Sequence, residues 1–210
     1  MSATRAFTTV IFDLSEVIVS GLCGVESRLK PFLHLPESSI LSAFWTDSLR
    51  LLCCGTISED EYLSSVRGEQ GWDISLDELK KHIRANFHWK IAGMRELIHE
   101  LSQSYHLCLF SDHAREWAEY ILAVHPFLGI FPQKLFSFET GLTKDRQDAF
   151  EEALRRFERT AEECVFIDDN PGNVEAARSV GMCAIPFTST RVLRMALEWQ
   201  GIRVSPADES

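Results

Sequence analysis

The chain has 210 residues, 45% of them apolar and 25% charged, and a formal net charge of -10. That length holds one ordinary domain with a smaller unit appended, and the acidic balance argues against nucleic acid or an anionic membrane surface as the main partner. No apolar run approaches the ~20 residues of a membrane span, and a core-like strand begins so soon after Met1 that no room is left for a signal peptide.

That first strand is Val10, Ile11 and Phe12, a continuous run of β-branched and aromatic residues. Without polar alternation it reads as a strand buried on both faces of a parallel sheet. It ends on Asp13. After a polar, glycine-containing turn the chain reads as almost wholly helical to about residue 104. Pro36 is a first-turn proline with Glu37 near the positive helix end; Leu41, Phe44, Trp45, Ser48 and Leu52 fall on one face of that helix, and Gly55 stops it. Ser58 with Glu61, and Ser75 with Glu78, have the spacing of a capping box, so each opens another helix. Trp45, Trp72 and Trp89 are expected in the core of this helical insert, with a place facing the crevice as the alternative for one of them.

Beyond it, strand and helix alternate. Met94, Leu97, Ile98 and Leu101 make an amphipathic helix leading into a strand over residues 107–110, which runs into Ser111. Trp117, Tyr120, Ile121 and Val124 repeat the helical pattern until His125-Pro126 ends it. A short strand at 134–138 precedes a loop with Gly141 and Lys144, and Phe150, Ala153, Leu154 and Phe157 mark the next helix. The strand at 164–167 runs into Asp168-Asp169, and Asn170-Pro171 is an N-cap and first-turn pair. A strand near 184–185 and a helix with apolar face Val192, Met195, Ala196 and Trp199 complete a parallel α/β sheet. The tail from Ser205 is expected to be loose.

Six cysteines occur without a Cys-x-x-Cys pair, and Cys53-Cys54 are adjacent, which suits neither zinc nor a simple bridge. Reduced thiols and a cytoplasmic protein are the expectation.

In open α/β sheets ligands bind beyond the carboxyl ends of the strands. Asp13, Ser111, Asp168 and Asp169 all stand there, and Lys144 is on a nearby loop. Clustered carboxylates must be protonated, paired or metallated, and an all-oxygen set suits Mg²⁺. Lys144 would hold a phosphoryl charge and restrain a nucleophilic aspartate, and the Ser111 hydroxyl would bond a phosphoryl oxygen. Attack by Asp13 would then give an aspartyl-phosphate. Glu16 reads as a solvated turn residue, with a substitute acid role as the alternative. His113 and Arg115 read as helix surface, with the crevice edge as the alternative.

These stretches resemble the haloacid dehalogenase superfamily. Val10-Ile11-Phe12-Asp13-Leu14-Ser15 is similar to its first motif, Leu107 to Ser111 to its second, Gly141-Leu142-Thr143-Lys144 to its third, and Val165 to Val174 to its fourth. The resemblance implies a Rossmann-like core at residues 1–17 and 90–204, a helical cap at 18–89 and a tail at 205–210. It implies Asp13 and Lys144 as catalytic residues, and Ser111, Lys144, Leu14 and Ser15 as the substrate-binding set. Asp13, the Ser15 carbonyl, Asp168 and Asp169 would hold Mg²⁺. Two departures matter. Ser15 replaces the acidic residue that serves the family as general acid and base, and Asp145-Arg146-Gln147 replaces a frequent Pro-Asp-Pro, which leaves Lys144 less rigidly placed. The implied activity is Mg²⁺-dependent hydrolysis of a small phosphorylated metabolite, slow or leaving-group-dependent. The alternatives are a non-catalytic metal- and phosphate-binding regulatory protein, which Ser15 would suit, and a 2-haloacid dehalogenase, which the Asp168-Asp169 pair disfavours. Substrate identity and oligomeric state are not read from these residues.

Overall fold

A computed structural model describes residues 6–204; the expected tail at 205–210 lies outside the described residues. Five strands, β1 (Thr9–Phe12), β2 (His106–Ser111), β3 (Gln133–Phe136), β4 (Cys164–Asp168) and β5 (Cys183–Pro186), form one parallel sheet in the order β3-β2-β1-β4-β5. Successive side chains alternate across it. Val10, Phe12, Leu107, Leu109, Val165 and Ile167 enter one core, while Ile11, Cys108, Phe110 and Phe166 enter the other. Both faces are covered, which is why these strands show no polar alternation.

Six helices intervene between β1 and β2, and the first five make the insert: α1 (Val25–Leu33), α2 (Glu37–Ser42), α3 (Asp47–Cys53), α4 (Glu59–Gln70) and α5 (Leu76–Asn86). The remaining helices, α6 (Met94–Ser102), α7 (Arg115–Val124), α8 (Ser137–Thr140), α9 (Gln147–Phe157), α10 (Pro171–Ser179) and α11 (Thr190–Trp199), flank the sheet. None of the described helices is long and apolar enough to cross a membrane. The chain leaves the sheet and returns along adjacent paths, with Ser20 N–H donating to the Trp89 carbonyl at 2.9 Å and Ile91 N–H to that of Ile18 at 3.0 Å.

Several local expectations are corrected. The single helix expected after Pro36 is two, because Thr46 turns extended (φ -122) and α3 restarts with Asp47 in its first turn. Of the three insert tryptophans only Trp72 is buried, edge-on to Phe44; Trp45 and Trp89 are 57% and 62% exposed. On α11 the packed residues are Leu193 and Leu197, so Val192, Met195 and Trp199 face outward. The capping box at Ser58 is complete, whereas Ser75 accepts from Glu78 N–H but the Glu78 carboxylate bonds Lys81 and His82 instead.

One buried carboxylate joins the insert to the sheet's own helices. Glu59, 3% exposed, accepts both ends of the Arg84 guanidinium at 2.7 Å and the Trp117 indole N–H at 2.7 Å. Glu59→Ala strands a partly buried guanidinium and an indole donor. It is expected to cost about 2–3 kcal/mol, read from urea unfolding; a loss under about 0.5 kcal/mol would mean that the contact does not fasten α4 and α5 to α7.

Candidate active site

Register brings the central groups together. Phe12, the last residue of β1, pairs with Leu109 on β2 and Ile167 on β4, so the next residues, Asp13 and Asp168, stand side by side on neighbouring strands. Asp13 N–H donates to the Ile167 carbonyl at 2.9 Å and fixes that alignment. Lys144 arrives from the loop after α8 and places its ammonium 2.6 Å from Asp13 Oδ1 and 2.6 Å from Asp168 Oδ2. The ammonium also sits 5.5 and 5.8 Å from the ring centres of Phe166 and Phe110. Asp13, Asp168 and Asp169 each offer a carboxylate oxygen within 4.8 Å of the others, an all-oxygen set that fits a hard divalent cation.

Charge in this cluster is unbalanced. Burial pushes the Asp13 carboxyl up to about 7, opposed by Lys144 and reinforced by Asp168. Burial pushes Asp112 up to about 6, and raises Asp169 with help from Asp168. For Lys144, burial alone would lower the ammonium, but Asp13 and Asp168 prevail and hold it above its usual range. One cation cannot serve so many carboxylates, which is how a cation site looks from its protein side.

Three residues outside the sequence-based set support this centre. The Asp112 carboxylate accepts the Lys144 backbone N–H at 3.0 and 3.2 Å, and Thr143 bonds Asp145 at 2.6 Å. Hydrogen bonds thus do the fixing expected of the missing prolines, and the looseness expected at Lys144 is absent. Asn173 donates to both Asp168 oxygens at 3.2 Å, and Asn170 N–H donates to Asp168 Oδ1 at 2.8 Å. His113 is buried, not helix surface, and its Nε2 lies 3.0 Å from Ser15 Oγ. Burial and the Lys144 charge push that imidazole down to about 4. No local pattern announces these contacts, although the Asn170–Asn173 spacing past a buried strand is a signal for Asp168.

The other sequence-derived residues fall less centrally. Ser111 ends β2 fully buried, its hydroxyl without a hydrogen-bond partner among the described residues, and it does not line the cavity. Leu14 buries its side chain in the core, leaving only its main chain for a ligand. Glu16 is not a solvated turn residue: at φ 60 its carboxylate accepts Gly21 N–H at 2.8 Å and Cys23 N–H at 3.1 Å. A Cβ on Gly21 would lie 2.9 Å from Glu16 Oε1 and from Ser15 Cβ, so this turn needs glycine there.

Asp13, Ser15, Lys144, Asp168 and Asp169 open into a cavity of about 520 Å³ whose far wall comes from the helical insert. Lys144→Met would leave two buried carboxylates facing each other and should cost about 3–5 kcal/mol in chelator. Protonation relieves that repulsion, so the urea-measured loss should be smaller at pH 5 than at pH 8. A loss independent of pH would show that Lys144 does not neutralise the pair.

Comparison with known proteins agrees with this architecture. A model of the haloacid dehalogenase-like hydrolase family matches residues 10–186. The chain is 24% identical over 210 residues to flavin mononucleotide hydrolase 1, chloroplastic, of Arabidopsis thaliana, spanning 98% of this chain and 82% of that protein. Among solved structures, a HAD family enzyme of Bacteroides thetaiotaomicron in complex with magnesium and inorganic phosphate superimposes with a TM-score of 0.69 at 17% identity, covering 88% of this chain and 96% of that one. A HAD-like family hydrolase of Porphyromonas gingivalis gives 0.70 at 21% identity, over 90% and 98%. A dehalogenase gives 0.72 at 12%, over 89% and 87%, so the shared fold does not choose between these chemistries. With a family model spanning nearly the whole sheet and its insert, the chain belongs to the haloacid dehalogenase-like hydrolases.

Proposed function

We propose that the protein is a Mg²⁺-dependent phosphohydrolase that cleaves a small phosphorylated metabolite through an aspartyl-phosphate. One observation carries this reading: a buried ammonium shared at 2.6 Å by Asp13 and Asp168, beside a third carboxylate, at the bottom of an open cavity. The Arabidopsis flavin mononucleotide hydrolase supports a phosphate ester as substrate, and the carboxylate set favours a metal over the metal-free dehalogenase alternative.

In this reading an Asp13 carboxylate oxygen attacks phosphorus as the ester P–O bond breaks, and the departing oxygen takes its proton from water. Water then attacks the same phosphorus, releasing inorganic phosphate and the free Asp13 carboxylate. Lys144 offsets negative charge beside the nucleophile throughout, and Asp112 holds the loop that presents it. The Leu14 main chain and Ser15 bind phosphoryl oxygens, while Ser111 lies buried behind the cavity wall. A divalent cation held by Asp13, the Ser15 carbonyl, Asp168 and Asp169 would keep these carboxylates ionised and draw charge from the phosphoryl group. Residues 18–89 act as the cap over a core of residues 1–17 and 90–204. The six free cysteines are consistent with a reducing, cytoplasmic setting.

The test is phosphate release from a panel of phosphorylated metabolites with Mg²⁺ and with chelator. Release confined to the Mg²⁺ arm is expected. No release from any ester, or halide release from 2-haloacids in chelator, would overturn the reading.

A further inference from the structure

The cavity has two unlike ends. At one end are the carboxylates and Lys144; the opposite wall is drawn largely from one short stretch of the insert, Trp45, Thr46, Asp47, Leu49, Arg50 and Cys53. That stretch is the break between α2 and α3 together with α3 itself. At the break Phe44 turns inward and is fully buried, while Trp45 turns into the cavity wall and stays 57% exposed. The backbone that presents it is held firmly. Tyr62 donates its buried hydroxyl to the Phe44 carbonyl at 2.6 Å, and the Phe44 ring packs edge-on against Trp72 at 5.7 Å. Trp45 is thus a large flat surface left open to water on a pinned support, inside the same cavity as the nucleophile. Exposed aromatic area of this kind is covered favourably by another flat ring.

Size points the same way. A cavity of about 520 Å³ falls in the range of roughly 300–1,000 Å³ that encloses drug-sized ligands. A phosphate on a three-carbon chain would fill only part of that volume. Arg50, on that wall, pairs with the half-exposed Asp145 carboxylate at 3.2 Å and touches the Cys54 thiol. Both contacts are at the surface, so its guanidinium can turn to a ring carbonyl or nitrogen.

We infer that the phosphorylated substrate carries a planar heteroaromatic ring, which stacks on Trp45 with its hydrogen-bond-accepting edge toward Arg50, while its phosphate lies at Asp13 and Lys144. This rests on the phosphohydrolase reading for the phosphate end only; the ring contact is a statement about binding and can be measured without turnover.

Two matched pairs of probes isolate the ring: flavin mononucleotide against ribitol 5-phosphate, and adenosine 5′-monophosphate against ribose 5-phosphate. Within the first pair the leaving group is the same primary alcohol. Affinities would be measured by calorimetry with Mg²⁺ on the Asp13→Asn protein, with and without Trp45→Ala or Trp45→Phe, and KM and kcat on the corresponding proteins that retain Asp13. At least one ring-bearing probe should bind more tightly than its ring-free partner. Trp45→Ala should erase roughly 5- to 150-fold of that preference, chiefly through KM, and Trp45→Phe should restore part of it. Trp45 is exposed, so thermal melting should show both variants folded. Equal binding of ring-bearing and ring-free probes in both pairs would overturn the inference, as would an equal loss for both members on Trp45→Ala. A changed sedimentation coefficient with unchanged ring preference would also overturn it, by assigning Trp45 to a contact between copies. Failure of turnover with the binding preference intact would sink the hydrolase reading and leave the ring contact standing.

Discussion

Asp13→Asn is expected to lower phosphate release by at least about 10⁴-fold, since an amide oxygen is a poor nucleophile and removing the attacking group forfeits the covalent route. The fold should survive. Asn keeps the backbone N–H bond to Ile167 and leaves Lys144 with Asp168. The stability change has a definite pH dependence in chelator. The native Asp13 carboxyl keeps its proton to about 7, whereas its ordinary value is 3.8. A raised native value means that the stability contribution is complete below the ordinary value and lost as pH climbs towards the native one. The wild type should therefore weaken more across that window than the Asn variant, which keeps only the contributions of other raised groups such as Asp112 and Asp169. The variant should thus be relatively more stable at pH 8 than at pH 4. Phosphate release and thermal unfolding on one preparation check both halves. Turnover within tenfold of wild type would take the nucleophile's role away from Asp13.

Ser15→Asp should accelerate cleavage of esters with poor leaving groups by about 10²–10⁴-fold, the usual worth of a positioned general acid. In the natural protein Ser15 Oγ lies 3.0 Å from His113 Nε2, and burial with the Lys144 charge depresses that imidazole to about 4. A ring so depressed is neutral at pH 7 and holds no readily given proton. Glu16 is engaged by the Gly21 and Cys23 amides. The departing oxygen thus leaves with little protonation, and the natural rate should depend steeply on leaving-group pKa. Aryl, acyl and anomeric phosphates should outpace simple alkyl ones. The new carboxylate would help the alkyl esters most at the phosphorylation step, and burst kinetics separate that step from hydrolysis of the intermediate. A flat dependence on leaving-group pKa in the natural protein would show that another group already supplies the acid.

What the sequence exposes and what it hides divide along the range of the interaction. β1, β2 and β4 could be found because burial on both faces leaves apolar runs at 10–12, 107–110 and 164–167, and the polar residues that end them, Asp13, Ser111 and Asp168, then stand out. The Ser58 capping box could be found because both its partners lie within one turn. At Ser75 the same spacing misled, since Glu78 had Lys81 and His82 within equal reach. The break at Thr46 was hidden because Leu41 to Leu52 keeps helical spacing across it, while the Tyr62 bond to the Phe44 carbonyl that stabilises the bend comes from another helix. Asn173 reaches Asp168 from only five residues away and is legible as a spacing, whereas the contacts of Asp112 and His113 are hidden for the same reason as the bend. Asp112 is defined by Lys144 and His113 by Ser15, each from a distant part of the chain.

The central position of β1 also bears on how the chain is made. Thr9–Phe12 is flanked by strands that begin at His106 and Cys164, so its two edges find partners only after most of the intervening chain exists. At roughly 5–20 residues per second, β1 waits on the order of five to thirty seconds for its partner strands to be made. Short β-prone runs in that condition are aggregation seeds unless a charge or turn interrupts them. Asp13 interrupts this one immediately after Phe12. The same carboxylate that ends the strand thus supplies a charge beside its apolar run before the pocket around it is made.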